Sequence, residues 1–216
     1  LAPNRTETFL FGAYVRDMHS TTQTPVDWTW ELAEQLDWHW HHHLRPRLAT
    51  LTDDEYLWEP VAGAWNLRPR AEATTPMAAG AGDVVADFAY PEPDPPPVTT
   101  IAWRMAHVSI GVLGTRAANH FGDGTVDTVE YATTDWPLTA AGGLALLDHH
   151  YSAWMTGVRS LDGAALARPC GPAEGPFQDS SIAALVLHIH REAIHHGAEM
   201  CLLRDLYRAR HDWIGD

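Results

Sequence analysis

Apolar side chains recur at three- and four-residue steps in four separate stretches of this chain, and that repeat limits its fold more than any other feature. The first stretch begins near Asp27, a residue type that caps helix N-termini by accepting a backbone N–H. It places Leu32, Leu36, Trp40, Leu44, Leu48 and Leu51 on one stripe. The second opens at Thr99 and Thr100, after the proline run PEPDPPP, with Trp103, His107, Ile110, Gly114, Ala117 and Phe121 in register. The third follows Pro137 and Thr139 and aligns Leu144, Leu147, Tyr151, Trp154, Val158 and Leu161, and the fourth runs from about Ser181 to Arg208. A helix with one apolar stripe must have that stripe covered. Four such helices predict an all-α fold, a four-helix bundle with ligand sites in the core between facing helices.

The first two helices are joined by EPVAGAWNLRPRAEATTPMAAGAGDVVADFAYPEPDPPPV, rich in Pro, Gly and Ala. Its two short apolar runs can pair, so the long crossover is expected to carry a short β-ribbon, with residues 91–97 as a stiff spacer. Residues 1–24 lack the period and read as an N-terminal arm. Residues 25–216 form one bundle domain, with an insertion at about 71–98 and no internal repeat.

Composition excludes several roles. A net charge of −14 with no basic cluster argues against a nucleic-acid partner, which needs concentrated cations on one face. All 14 basic residues are arginine, from which no mechanism follows. The two cysteines, Cys170 and Cys201, form no spaced pattern, so a disulfide framework or thiolate metal site is not expected and a reducing compartment is. No signal-like start and no apolar run of about 18 residues is present, and a cytoplasmic protein without membrane spans is the expectation. The ten tryptophans mostly sit at helical spacing, where large rings fill a core.

The fourth helix carries the chemistry, in HIHREAIHHGAEM at 188–200. At about 100° per residue with His188 at zero, the apolar residues Ile182 to Leu203 fall between roughly 60° and 160°. His196 lies at about 80° and Glu192 at about 40°, inward, whereas His195 near −20°, His190 near 200° and Cys201 near 220° lie outside that arc. Glu192 and His196 are one turn apart and can reach one ion together. A buried carboxylate needs a partner, a proton or a metal. An internal Glu–His or Glu–Arg pair that fixes helix register would serve, but His107 on the second helix adds another inward ligand and favours a metal site. The zincin order His-Glu-x-x-His is absent. Glu192-Ala-Ile-His195 spells the Glu-x-x-His of di-iron bundles, yet no second copy exists, so a single ion is preferred.

Other polar residues are weaker candidates. In WHWHHHLR consecutive side chains diverge and cannot serve one ion. His39 and His43, four apart, could support a ligand or touch substrate, and Arg191 or Arg204 could grip an anion, although helix-surface pairing is the usual fate of such arginines. His149, His150 and His211 read as surface. Cys170 and Cys201 read as bystanders, leaving no nucleophile and no assigned catalytic residue.

His107 in AWRMAHVS, after a WNLRP-type loop, together with Glu192 and His196 in HREAIHHGAEMCLLRDLY, resembles the DinB-like, YfiT-like superfamily of metal-binding four-helix bundles. It is most similar to the branch of mycothiol-dependent maleylpyruvate isomerase and related thiol transferases. The resemblance covers the helix order and most of residues 27–208; the arm and the insertion depart from it. It implies a divalent ion held by His107, Glu192 and His196, where many members have histidine in place of Glu192. Zinc comes first, with nickel, iron or manganese as alternatives. Two imidazoles and a carboxylate leave open positions, as catalytic sites do. The resemblance further implies activation of a low-molecular-weight thiol for transfer or isomerisation of a small-molecule substrate, and allows a homodimer. Two other readings stay open: a non-haem iron oxygenase, since two histidines and one carboxylate also describe that class, and a non-catalytic metal-binding or dimerisation module.

Overall fold

A computed structural model describes residues 25–122 and 129–213, so the expected arm at 1–24 lies outside the described residues. Four long helices form the bundle. The first, α1 (residues 28–48), joins Trp28–His39, a π-wound turn Trp40–Leu44 and Arg45–Leu48, and Asp27 caps it by accepting the Trp30 N–H at 3.1 Å. A short helix α2, Asp53–Leu57, starts at a capping box made by Thr52 and Glu55. The crossover then forms an antiparallel ribbon of β1, Leu67–Pro69, and β2, Val84–Ala86, with Leu67 opposite Ala86. The second long helix, α3 (residues 101–121), is capped by Thr100 and contains a π-wound segment, His107–Gly114. It is followed by α4, Ala140–Arg159, capped by Thr139, then by the short α5, Gly163–Ala167, and finally by α6, Ile182–Trp213.

The core is built from the expected stripes, with Leu36, Leu44 and Leu48 of α1, Leu147, Trp154 and Val158 of α4, and Val186, Ile189 and Met200 of α6 all buried. Trp40 stacks on Tyr151 at 3.7 Å, locking α1 to α4. On α3 the burial differs from the expected stripe. Ile101, Met105, Val108 and Val112 are buried, whereas Trp103, His107 and Phe121 are partly exposed. A π-wound segment closes i→i+5 hydrogen bonds and takes more residues per turn, so a stripe read at 3.6 residues drifts around the helix.

The buried arc of α6 is also wider than expected, because this helix packs against α1, α3 and α5. His190 and Cys201, placed outside the arc by the wheel, are both 4% exposed. His190 is hydrogen-bonded to the Leu32 backbone and meets Trp154 edge-on at 6.1 Å. His150 is buried rather than on the surface, against Gly114, where a Cβ would come within 2.8 Å of its Nδ1. Arg204 is buried too. It donates to Glu55 at 3.0 Å, to Thr50 at 2.9 Å and to the Arg47 carbonyl, while Arg208 donates to the other Glu55 oxygen at 2.6 Å. These bonds pin the end of α6 to the α1–α2 corner. Among the described residues, no helix is long and apolar enough to cross a membrane.

Candidate metal centre

The π-wound segment of α3 begins at His107, and π turns recur at functional sites because they re-aim side chains. The His107 ring stacks on Trp103 at 5.5 Å and 11° between planes. Its Nδ1 lies 2.8 Å from the Tyr131 hydroxyl, on the loop between α3 and α4. Gly111 makes that contact possible: a Cβ there would sit 2.6 Å from the Tyr131 oxygen and 3.2 Å from His107 Nδ1. Burial pushes the His107 imidazole down to about 4, with the neighbouring His196, Arg104 and Arg116 adding to the effect, so the ring is neutral near neutral pH.

Across from it, α6 presents His196, whose ring meets that of His107 at 4.9 Å and 81°. His196 Nδ1 donates to a Glu199 oxygen at 2.7 Å, and its Nε2 lies 3.4 Å from Glu192 Oε2. Arg104 of α3 pairs with Glu199 at 3.0 Å. Burial raises the Glu199 carboxyl, but the His196 hydrogen bond and the Arg104 charge outweigh it and hold it below the usual carboxylate range. Glu192 makes looser contacts, 3.7 Å to His188 and 3.8 Å to Arg191.

These distances carry a physical demand. With Nδ1–H donated to Glu199, a neutral His196 turns its Nε2 lone pair toward the Glu192 carboxylate. Two acceptors facing each other at 3.4 Å need a cation between them, either a second proton on the ring or a metal ion. Two ligand atoms bound tetrahedrally at zinc distances lie about 3.4 Å apart, so the pair fits such an ion. Buried histidine ligands also tend to have their other ring nitrogen anchored, as Tyr131 and Glu199 do here.

His107 and His196 meet at the α3–α6 seam, and Glu192 lies beside His196. Glu192 sits at the edge of the buried face, its side chain 29% exposed. His195 points outward, 63% exposed, with Nε2 3.3 Å from Glu199. A tighter alternative grouping exists, since ligand atoms of His195, His196 and Glu199 all lie within 4.8 Å of one another. Its carboxylate, however, is already engaged by Arg104. His39 and His43 stack on each other at 5.8 Å, and His39 Nε2 faces α6 at Gly197, about 140° around the helix from Glu192. Arg191 is exposed and holds His188 Nδ1 at 2.8 Å. The sequence reading missed Glu199, Tyr131, Arg104 and Gly111. Of these only Glu199 carried a signal, three residues after His196 on the same helix.

The DinB superfamily model matches residues 35–200, a span holding His107, Glu192 and His196. The chain belongs to the DinB superfamily. No curated protein and no solved structure matches it. DinB membership is consistent with a metal-binding module, and the His195, His196 and Glu199 grouping could hold an ion.

Proposed function

We propose that this DinB-superfamily protein holds one divalent ion, zinc first, through His107, Glu192 and His196, and that it is a thiol-dependent transferase or isomerase acting on a small molecule. The reading rests on the opposed acceptors of His196 and Glu192, 3.4 Å apart at the α3–α6 seam. A divalent ion there supplies Lewis acidity that lowers the pKa of a thiol entering an open position. The protein's own residues set the stage. Tyr131 and Glu199 hold the two imidazoles through Nδ1, leaving Nε2 of each as the ligand atom. Arg104 offsets the charge of Glu199, and the partly exposed Glu192 keeps the centre open to small molecules. Neither cysteine competes as nucleophile, since burial raises both thiols above their ordinary pKa.

Elemental analysis of purified protein is expected to show one divalent ion per chain, and His196→Ala to lose it. Adding low-molecular-weight thiols to cobalt-substituted protein is expected to give a sulfur-to-metal charge-transfer band and release a proton. Metal content unchanged in His196→Ala would overturn the ligand set. A loaded centre whose spectrum ignores every thiol would leave the metal module and remove the thiol chemistry.

A further inference from the structure

Three large apolar side chains of the crossover, Met77, Phe88 and Tyr90, are 48%, 39% and 79% exposed, yet they converge on one cleft of about 830 Å³. Trp65, Trp103 and Tyr131 line the same cleft, which reaches His107. The rings form a continuous series from the crossover inward. Phe88 meets Trp65 at 6.1 Å, Trp65 meets Trp103 at 5.6 Å, and Trp103 stacks on His107 at 5.5 Å. Isolated exposed apolar residues are ordinary, but a cluster around a concave surface marks a binding site.

The wall is built before any ligand arrives. Asp87, fully buried, accepts from the Asn66 N–H at 3.1 Å, Arg68 at 2.7 Å, Thr74 at 3.1 Å and Thr75 at 3.3 Å. Its carbonyl accepts the Trp103 indole N–H at 2.7 Å. Next to it, the Phe88 N–H donates to Thr75 Oγ1 at 2.8 Å and its carbonyl accepts from Met77 at 3.2 Å. A preformed wall spares a ligand the cost of ordering it.

We infer that this cleft binds an aromatic ligand of one or two rings, whose faces pack against Phe88, Tyr90 and Trp103 and whose polar substituent reaches the His107 end. The volume suits a small molecule, and rings gain offset-stacked and edge contacts on aromatic walls that saturated groups of equal size do not. That the ligand is the substrate of the metal-dependent reaction rests on the reading above; the aromatic preference of the cleft does not.

The test is calorimetric titration of the full chain, chelator-treated and zinc-supplemented, with 2-naphthol and with its saturated analogue decahydro-2-naphthol. Binding of 2-naphthol in both preparations is expected, tighter than the analogue by roughly three- to tenfold. Phe88→Ala and Tyr90→Ala, both on the exposed wall, should each weaken it by a similar factor, and Trp30→Ala on α1 should leave it unchanged. Equal affinity for the two probes, no 2-naphthol binding up to about 1 mM, or wild-type affinity in both wall variants overturns the inference. Zinc binding with no naphthol binding defeats this inference alone. Naphthol binding by a chain that takes up no metal supports it and defeats the metal reading alone.

Discussion

His196 stands between two carboxylates of its own helix, and their replacement should separate a ligand from an anchor. Glu192→Gln removes the charged oxygen that faces Nε2 and is expected to abolish tight metal binding while the helix stays folded, its shape barely changed. Glu199→Gln removes only the acceptor of Nδ1–H, and loss of such an anchor is expected to weaken affinity by roughly 10- to 100-fold. Competition with a chromophoric chelator reads both. Should Glu199→Gln be the more damaging, the grouping of His195, His196 and Glu199 is the true ligand set. Gly111→Ala tests the other histidine: its methyl would sit 2.6 Å from the Tyr131 oxygen and push the phenol off His107. Weaker metal binding with an unchanged circular dichroism spectrum is expected. The approach of His107 to His196 was only half legible in the sequence: His196 stood on the buried arc of α6, whereas His107 is partly exposed on a π-wound segment around which the expected stripe drifts. Tyr131 was not, since a loop residue has no period and reaches His107 only through long-range packing. Glu199 fell at about 20° on the wheel, just beyond an arc drawn from apolar residues alone.

At the scale of elements, helix existence and helix starts were legible: Asp27 caps as its residue type suggested, and Thr100 and Thr139, where the second and third stretches open, cap as well. Burial around each helix was less so. Period alone does not reveal π winding in α1 and α3, nor that α6 would be covered over a wide arc, and so His150 and His190 read as exposed. Their burial has a thermodynamic consequence. Burial lowers both imidazoles to about 4 from an ordinary 6.5. For a base with a depressed folded pKa, the unfolded chain binds more protons as pH falls. Stability is therefore complete above about pH 6.5 and is lost as pH drops from there toward about 4, on the order of 1 kcal/mol per unit for each histidine. Urea unfolding between pH 7 and 4 should show this slope, and His190→Leu should reduce it. An unchanged slope in that variant would place the acid sensitivity elsewhere.

Across the whole molecule, a helical bundle carries a crossover that adds a binding wall and sends Leu67 and Ala86 of its ribbon into the core. The composition of that segment showed that it was long and could pair as a ribbon, but its attachment depends on side chains distant in sequence. Asp87 is the junction, joining Asn66, Arg68, Thr74 and Thr75 and, through its carbonyl, Trp103 of α3. Arg68 is the matching cation, also held by Glu59 at 2.7 Å. Removing one partner of a buried ion pair typically costs 3–5 kcal/mol, and the retained Glu59 contact puts Asp87→Ala near about 3 kcal/mol. If crossover and bundle were one cooperative unit, every protected amide would lose that amount together. The cross-links instead concentrate in the segment 65–100, where Asp87 N–H meets the Asn66 carbonyl, Thr100 N–H the Trp65 carbonyl and Arg70 N–H the Asp83 carbonyl. Hydrogen exchange of Asp87→Ala is therefore expected to speed up at these amides well before those of α1, α4 and α6, as sub-global opening predicts. Loss of the aromatic cleft with an intact bundle would follow, and uniform acceleration across all helices would show instead that the crossover is required for the bundle to fold.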